Sequence, residues 1–217
     1  MRRALAILFL SLAALLATAW PIALAVGSER PGLEGSITLV AFQAPPPWEP
    51  KRQAEDPAER VERLSIIARA IALEAAHPPP EWRWGSAELA ALLLATTYEE
   101  GWRWRRDVHD GRLLGDGGRA RCLAQLHRHP TWMPKELWLA STGTDLESTR
   151  ICVAGAARVL AHYAAECVSD RGARDLEGSF ARVVVGYGTG AGCNPKGRPW
   201  AASRARRAVA WLGELRK

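Results

Sequence analysis

The chain has 217 residues, of which 48% are hydrophobic and 24% charged, and its formal net charge is +6. This is ordinary globular composition with enough chain for one sizeable domain, and the lack of any sequence repeat excludes a repeat protein. A basic chain can meet nucleic acid, a membrane surface or an anionic wall polymer. Ten tryptophans are more specific, because a tryptophan in a cleft often stacks on a sugar face, although most simply pack in a core or at its rim.

The N-terminus predicts export. Two arginines precede residues 4–26, which are uncharged and almost wholly apolar, and Ala23-Leu24-Ala25 fits a small-x-small cleavage site. We predict a signal peptide over residues 1–25. The alternative is an uncleaved membrane anchor, because the stretch is about long enough to span a bilayer. In either case we expect a periplasmic, cell-envelope or extracellular protein, with membrane association only through this segment.

Residues 26–55 are predicted to be a Pro-rich linker or arm. They contain Pro45–Pro47 and Pro50 and show no helical period, which favours a tether with polyproline character. Residues 37–42 could form a short strand, but we expect them to pack loosely or stay disordered.

A helix is predicted from Asp56, which precedes Pro57 and has Glu59 three residues later. It should end before Pro78. The next helix should begin at Ser86 as its cap. This second helix is apolar nearly all round, so we expect it to be the buried helix of the domain.

The buried helix ends in two acids, Glu99 and Glu100, followed by Gly101, where a left-handed residue usually closes a helix. A carboxylate there faces the negative end of the helix dipole, and Trp102 and Trp104 partly exclude water. Both effects favour the protonated carboxylic acid, which glycosidic bond cleavage requires. The alternative is a pair of solvated surface charges.

The loop at residues 102–117 interleaves arginines with tryptophans, a pattern that also occurs in nucleic-acid binding. A secreted chain rarely meets that ligand, so we predict no nucleic-acid partner. His127 and His129 alternate after residues 122–126, but no third ligand is apparent at suitable spacing. We therefore predict no metal and no cofactor, and expect solvated loop histidines.

Three further helices are predicted. A capping box at residues 144–147 begins a long Ala-rich helix that ends near Glu166. A short apolar helix at residues 180–186 delivers Tyr187 into a glycine-rich turn, and an amphipathic helix spans residues 200–215.

The four cysteines, at positions 122, 152, 167 and 193, predict two disulfides in an exported chain. Cys152 and Cys167 lie fifteen residues apart on one predicted helix, roughly 22 Å at the helical rise, which is too far to bridge. Cys122 should therefore pair with Cys152 or with Cys167, and Cys193 with the remaining one.

Three segments resemble the lysozyme-like superfamily. Residues 99–102 (EEGW) resemble the E-S-G-F segment of lytic transglycosylases. Residues 115–125 (GDGGRARCLAQ) resemble the G-D-x-G-x-x-x-G-L-M-Q segment of goose-type lysozymes with identical spacing, and residues 186–190 (GYGTG) resemble A-Y-N-A-G. The resemblance implies a mainly α (α+β) lysozyme-like catalytic domain over residues 56–217, with a small irregular β element near 115–127 at the cleft.

The resemblance also implies an activity, cleavage of the MurNAc–GlcNAc bond in peptidoglycan glycan strands, by a monomer. It implies Glu99 as the catalytic acid, with Glu100 as its rival, and Asp116 as a second acid that orients water or sugar. The substrate-binding residues would be Glu100, Trp102, Gln125 and Tyr187. We expect the lytic product, a 1,6-anhydro ring, because the second goose-type acid is replaced by His127.

Three departures separate the chain from these families. Cys122 and Ala124 replace the Gly and Met of G-L-M-Q, Gly188 replaces the Asn of A-Y-N-A-G, and Glu100 replaces the Ser of E-S-G-F. A divergent enzyme fits these changes. The alternative is a non-catalytic glycan-binding or structural wall module that keeps the fold.

Overall fold

The computed structural model describes residues 32–44, 54–169 and 175–217. The predicted signal or anchor segment and Pro45–Pro50 lie outside these ranges. The helices are α1 (Leu33–Gln43), α2 (Pro57–Ala76), α3 (Ser86–Glu100), α4 (Arg106–His109), α5 (Lys135–Ala140), α6 (Leu146–Cys167), α7 (Leu176–Thr189) and α8 (Pro199–Leu215). A short 3-10 turn, Asp116–Gly118, and strands β1 (Ala120–Arg121) and β2 (Leu126–His127) lie between α4 and α5. The mainly helical prediction is confirmed.

Aspartates cap several of these helices. Asp56 accepts a hydrogen bond from the amide of Ala58, and Asp145 accepts one from the amide of Ser148. The predicted start at Asp56 is thus confirmed. The predicted capping box at residues 144–147 has Thr144 as its cap, whereas the N-cap in the structure is Asp145. The predicted cap of α3 is wrong, because the N-cap is Gly85, which makes no side-chain bond, and Ser86 is the first helical residue.

Helix α3 is the centre of the core. Its residues from Leu89 to Tyr98 are all buried, and it packs against α8 and α2. A helix covered on several sides needs apolar residues around its whole circumference, as the sequence predicted. The burial fixes the end of α3, where the two glutamates lie.

The expectation of a strand or a disordered stretch at residues 37–42 is wrong, because α1 covers it. Ile37, Val40 and Ala41 are buried against the core at spacings of three and one, and α1 packs mainly on α2. Leu39 and Phe42 are apolar but exposed, so both faces of the helix are apolar and no helical period is visible in the sequence. The described residues from Gly32 onward pack as one unit.

The small β element near residues 115–127 is confirmed. Strands β1 and β2 are antiparallel, with Ala120 opposite His127, and Gly115 forms a further bridge to Ala120. Three short backbone segments therefore lie side by side.

Two disulfides are present, Cys122–Cys152 and Cys167–Cys193. The exclusion of a Cys152–Cys167 bond is confirmed. Of the two partners predicted for Cys122, the structure has Cys152. Two disulfides indicate an oxidising, exported environment. Within the described ranges, no helix combines the length and the apolar character needed to cross a membrane.

Candidate functional site

A groove of about 700 Å³ runs between the β element and the C-terminal end of α7. Three of the residues predicted from the sequence line it: Asp116, Gln125 and Tyr187. The groove thus brings together the second and third lysozyme-like segments, which are about 60 residues apart in the chain. Its other lining side chains include His127, His129, Trp132, His162 and Glu166.

Tyr187 joins the two segments directly. Its buried hydroxyl donates a hydrogen bond of 2.5 Å to the carbonyl oxygen of Ala124. Burial raises the pKa of Tyr187 well above its ordinary value of 10, and the negative charge of Glu100 raises it further. The hydroxyl therefore stays protonated and acts as a fixed donor. The sequence predicted that Tyr187 lies in a turn after the helix. In the structure it belongs to the last turn of α7 itself.

Gln125 is held by its own turn. Its side-chain amide donates to the carbonyl of Cys122 over 2.9 Å, and its backbone is left-handed, with φ of 49°. A Cβ at Gly115 would lie 1.8 Å from Oε1 of Gln125, so a side chain there would displace the Gln125 amide. The disulfide from Cys122 then ties this groove wall to α6.

Asp116 forms a pair that the sequence did not predict. Its Oδ2 lies 2.7 Å from Nε2 of His127, and both side chains are more than half exposed in the groove. The pairing follows from the β element, because Ala120 is hydrogen-bonded to Gly115 on one side and is opposite His127 in the strand register on the other. His127 is thus a candidate functional residue and not a free loop histidine.

Glu99 pairs with an arginine of α8. Its Oε1 accepts a hydrogen bond of 2.8 Å from Nε of Arg207 on α8. The Arg207 guanidinium lies over the rings of Tyr98 and Trp211, 4.9 and 5.8 Å from their centroids. Neither Glu99 nor Glu100 is among the described residues that line the groove.

Glu100 pairs with a different arginine of α8, which is buried. Its Oε1 accepts a hydrogen bond of 2.7 Å from Nη1 of Arg204, whose side chain is only 8% exposed. The Arg204 guanidinium lies 5.4 Å from the ring centroid of Trp200, which lies against the groove-lining residue Gly188, so this ion pair is next to the groove. The two neighbouring glutamates therefore have separate arginine partners and separate surroundings.

The helix end differs from the prediction. Gly101 is not left-handed, with φ of −78°, but a Cβ there would lie 2.5 Å from the carbonyl oxygen of Thr97 and 3.0 Å from the Leu123 side chain. The left-handed residues are the next three, Trp102, Arg103 and Trp104, with φ of 50°, 62° and 56°. Such backbone costs about 1–2 kcal/mol per non-glycine residue.

Buried contacts hold this loop. The indole of Trp104 is buried and donates to Oγ1 of Thr97 over 3.0 Å. Trp102 is half exposed, with the Arg105 guanidinium 5.4 Å from its ring centroid, and it is not among the described residues that line the groove. The structure therefore does not bring Trp102 together with Gln125 and Tyr187.

The glycine that replaces the Asn of A-Y-N-A-G has a steric cause. A Cβ at Gly188 would lie 2.7 Å from Cη2 of Trp200. Trp200 is 38% exposed and carries the Arg204 guanidinium 5.4 Å from its ring centroid. Trp200 therefore occupies space that a side chain at position 188 would need.

No protein-family model, curated protein or solved structure matches the chain. In the ranges that the structure describes, no three His, Cys, Asp or Glu side chains are grouped as metal ligands would be.

Proposed function

We propose that the chain is an exported glycosidase that cleaves the MurNAc–GlcNAc bond of peptidoglycan. The observation that supports this most is the Tyr187–Ala124 hydrogen bond. It joins two of the segments that resemble lysozymes into one groove wall. Glu100, from the first such segment, pairs with Arg204, which contacts Trp200 beside the groove-lining residue Gly188. An acid, a polar wall and an open groove are the parts that glycoside cleavage needs.

Glu100 is the better placed of the two acids. Its charge acts on Tyr187, whereas Glu99 acts on Tyr98 and pairs with Arg207 over Trp211. The sequence alignment favours Glu99, and that assignment stays a prediction. Geometry favours Glu100, because its partner Arg204 contacts Trp200 beside the groove-lining residue Gly188, and the acid must reach a sugar bound in the groove.

Arg204 has a role in this reaction. A general acid that protonates the leaving oxygen becomes a carboxylate, and a guanidinium at 2.7 Å stabilises that carboxylate. The observed ion pair corresponds to the state after proton transfer. Before the transfer, Glu100 must take up a proton and loosen its contact with Arg204.

Two products can follow. Attack by the muramic 6-hydroxyl gives a 1,6-anhydro ring, whereas attack by water gives a reducing end. The sequence predicts the anhydro ring, because the second goose-type acid is replaced by His127. The reaction needs no cofactor in either case.

A second candidate function is glycan binding without catalysis. It is favoured by the arginine partners of both glutamates, because an ion pair is made by the ionised carboxylate and not by the protonated acid. In that case the groove would hold a glycan strand and leave it intact.

Turnover of purified peptidoglycan separates the two functions. We expect the full chain to release soluble muropeptides, and the double variant Glu99→Gln/Glu100→Gln to release none while still sedimenting with the insoluble polymer. Binding by both proteins without any release by the wild type would contradict the enzyme and favour the binding module. Absence of both binding and release would contradict both functions.

A further inference from the structure

The Asp116–His127 pair is an unassigned chemical group in the groove. Both side chains line the same groove as Gln125 and Tyr187, and their Oδ2 and Nε2 atoms are 2.7 Å apart. Their exposed fractions, 61% for Asp116 and 53% for His127, leave the pair open to water. It is therefore positioned to act on a water molecule beside a bound sugar.

The hydrogen bond to Asp116 determines which ring nitrogen of His127 carries the proton. An ionised carboxylate can only accept a hydrogen bond, so Nε2 of His127 carries the proton that is shared with Asp116. The lone pair of the neutral ring then lies on Nδ1. When Nδ1 takes a proton, the resulting imidazolium is stabilised by the carboxylate at 2.7 Å, as in other carboxylate–histidine pairs.

The backbone holds the pair in place. His127 is paired with Ala120 in the β element, and Ala120 is bonded to Gly115, the residue before Asp116. Asp116 itself is left-handed, with φ of 49°. Cys122, bonded to Cys152 of α6, anchors the turn between the two strands. A strained residue held by its surroundings in a groove is typical of a functional position.

We propose that His127 is the general base that activates water in this groove, with Asp116 as its positioning residue, so that the products have reducing ends. This rests on the proposed cleavage of peptidoglycan. This differs from the expectation of an anhydro product. That expectation considered only that His127 replaces the second goose-type acid, and gave the histidine no role of its own.

The step balances with water as the only co-reactant. The water oxygen forms a bond to the anomeric carbon of the muramic unit as its proton passes to Nδ1 of His127. The bond from that carbon to the glycosidic oxygen breaks, and the oxygen keeps the electron pair and takes the proton of the acid at the end of α3. Solvent then removes the proton from His127 and returns one to the acid.

The test is digestion of purified peptidoglycan by the full chain in water enriched in oxygen-18, followed by mass spectrometry of the muropeptides. Hydrolysis puts one labelled oxygen on each new reducing end. Lytic cleavage gives unlabelled ends that are one water lighter. We expect labelled reducing ends from the wild type.

Variants separate the base from a structural role. His127→Ala should lower the rate of labelled-end formation by a hundred-fold or more, and added imidazole should restore part of it. Asp116→Asn should have a smaller effect, about ten-fold, because the base remains. His77→Ala, which removes an exposed histidine outside this groove, is the control and should match the wild type.

The outcomes are distinct. Unlabelled anhydro ends from the wild type would overturn this inference and leave the proposed cleavage standing. An unchanged rate in His127→Ala, or a loss that imidazole does not restore while the protein stays folded by circular dichroism, would also overturn it. No release of muropeptides by the wild type would overturn the proposed function itself.

Discussion

Glu100 and Arg204, 104 residues apart in sequence, form an ion pair of 2.7 Å between the end of α3 and the middle of α8. The guanidinium is buried and also lies over Trp200. The neighbouring Glu99 forms its own pair with Arg207. Helix α8 therefore supplies one arginine to each acid, and the two pairs fix the glutamates on different sides of the helix end.

The disulfides give a first prediction. The loops that they close span 30 and 26 residues, so chain entropy predicts that each bond contributes about 3.5 kcal/mol to the free energy of unfolding. The variants Cys122→Ala/Cys152→Ala and Cys167→Ala/Cys193→Ala should lose similar stability in urea unfolding. The first should weaken binding to peptidoglycan more than the second. It anchors the short strands that position Asp116, Gln125 and His127, whereas Glu166, beside the second bond, is also held by helix α6. Equal loss of binding in two folded variants would contradict this role.

A second prediction concerns the buried His109. Burial lowers its pKa from 6.5 to about 3, with the charge of Arg63 acting in the same direction. Its Nε2 lies 2.8 Å from Oγ1 of Thr149. Because the folded pKa lies below the unfolded one, the unfolded chain binds more protons between pH 6.5 and 3. Stability should therefore fall as the pH drops through this window, by about 2 kcal/mol between pH 8 and 5.

The measurement is urea unfolding as a function of pH for the wild type, His109→Gln and His77→Gln. The range above pH 5 separates His109 from the acids, such as Asp145, whose pKa lies below its ordinary 3.8. His109→Gln should lose the pH dependence in this range, and His77→Gln, at an exposed site, should keep it. The same slope in all three proteins would rule out His109 as the source.

A third prediction concerns Gly188 and Trp200. Position 188 is helical, where alanine is ordinarily better than glycine by about 1 kcal/mol. Because Trp200 lies so close, we expect the opposite effect here. Gly188→Ala should lower the free energy of unfolding of the otherwise wild-type protein by about 1–3 kcal/mol. In a Trp200→Ala background the same substitution should stabilise the protein. A double-mutant cycle of thermal unfolding measures the coupling, and additive effects would exclude the contact.

The sequence predicted those parts of the fold that local chemistry determines. Asp56 caps the helix that it was expected to start, and the long helix predicted from the box at residues 144–147 begins there, one residue later than predicted. The helical rise alone excluded a Cys152–Cys167 bond. Helix α1 was not predicted, because apolar Leu39 and Phe42 lie on its exposed face. The sequence therefore lacks the alternation of apolar and polar residues that marks an amphipathic helix. Prolines after the helix also favoured an extended arm.

The site was predictable only in part. The spacing of residues 115–125 and the position of Tyr187 predicted two segments of one groove, which the structure brings together. The arginine partners of Glu99 and Glu100 lie more than 100 residues away in sequence, so no local pattern could indicate them. The Asp116–His127 pair depends on strand register, which two-residue strands do not reveal in a sequence.

We propose Glu100 as the acid of the reaction. The most direct test is the rate of muropeptide release from purified peptidoglycan by Glu100→Gln and Glu99→Gln, two variants that remove one carboxylate each from adjacent positions. Each also leaves one arginine without its ion pair, so losses of stability should be similar and are checked by thermal unfolding. We expect Glu100→Gln to lose a hundred-fold or more in rate and Glu99→Gln to lose less than ten-fold. Full activity in Glu100→Gln, with Glu99→Gln inactive, would contradict the claim and assign the acid to Glu99.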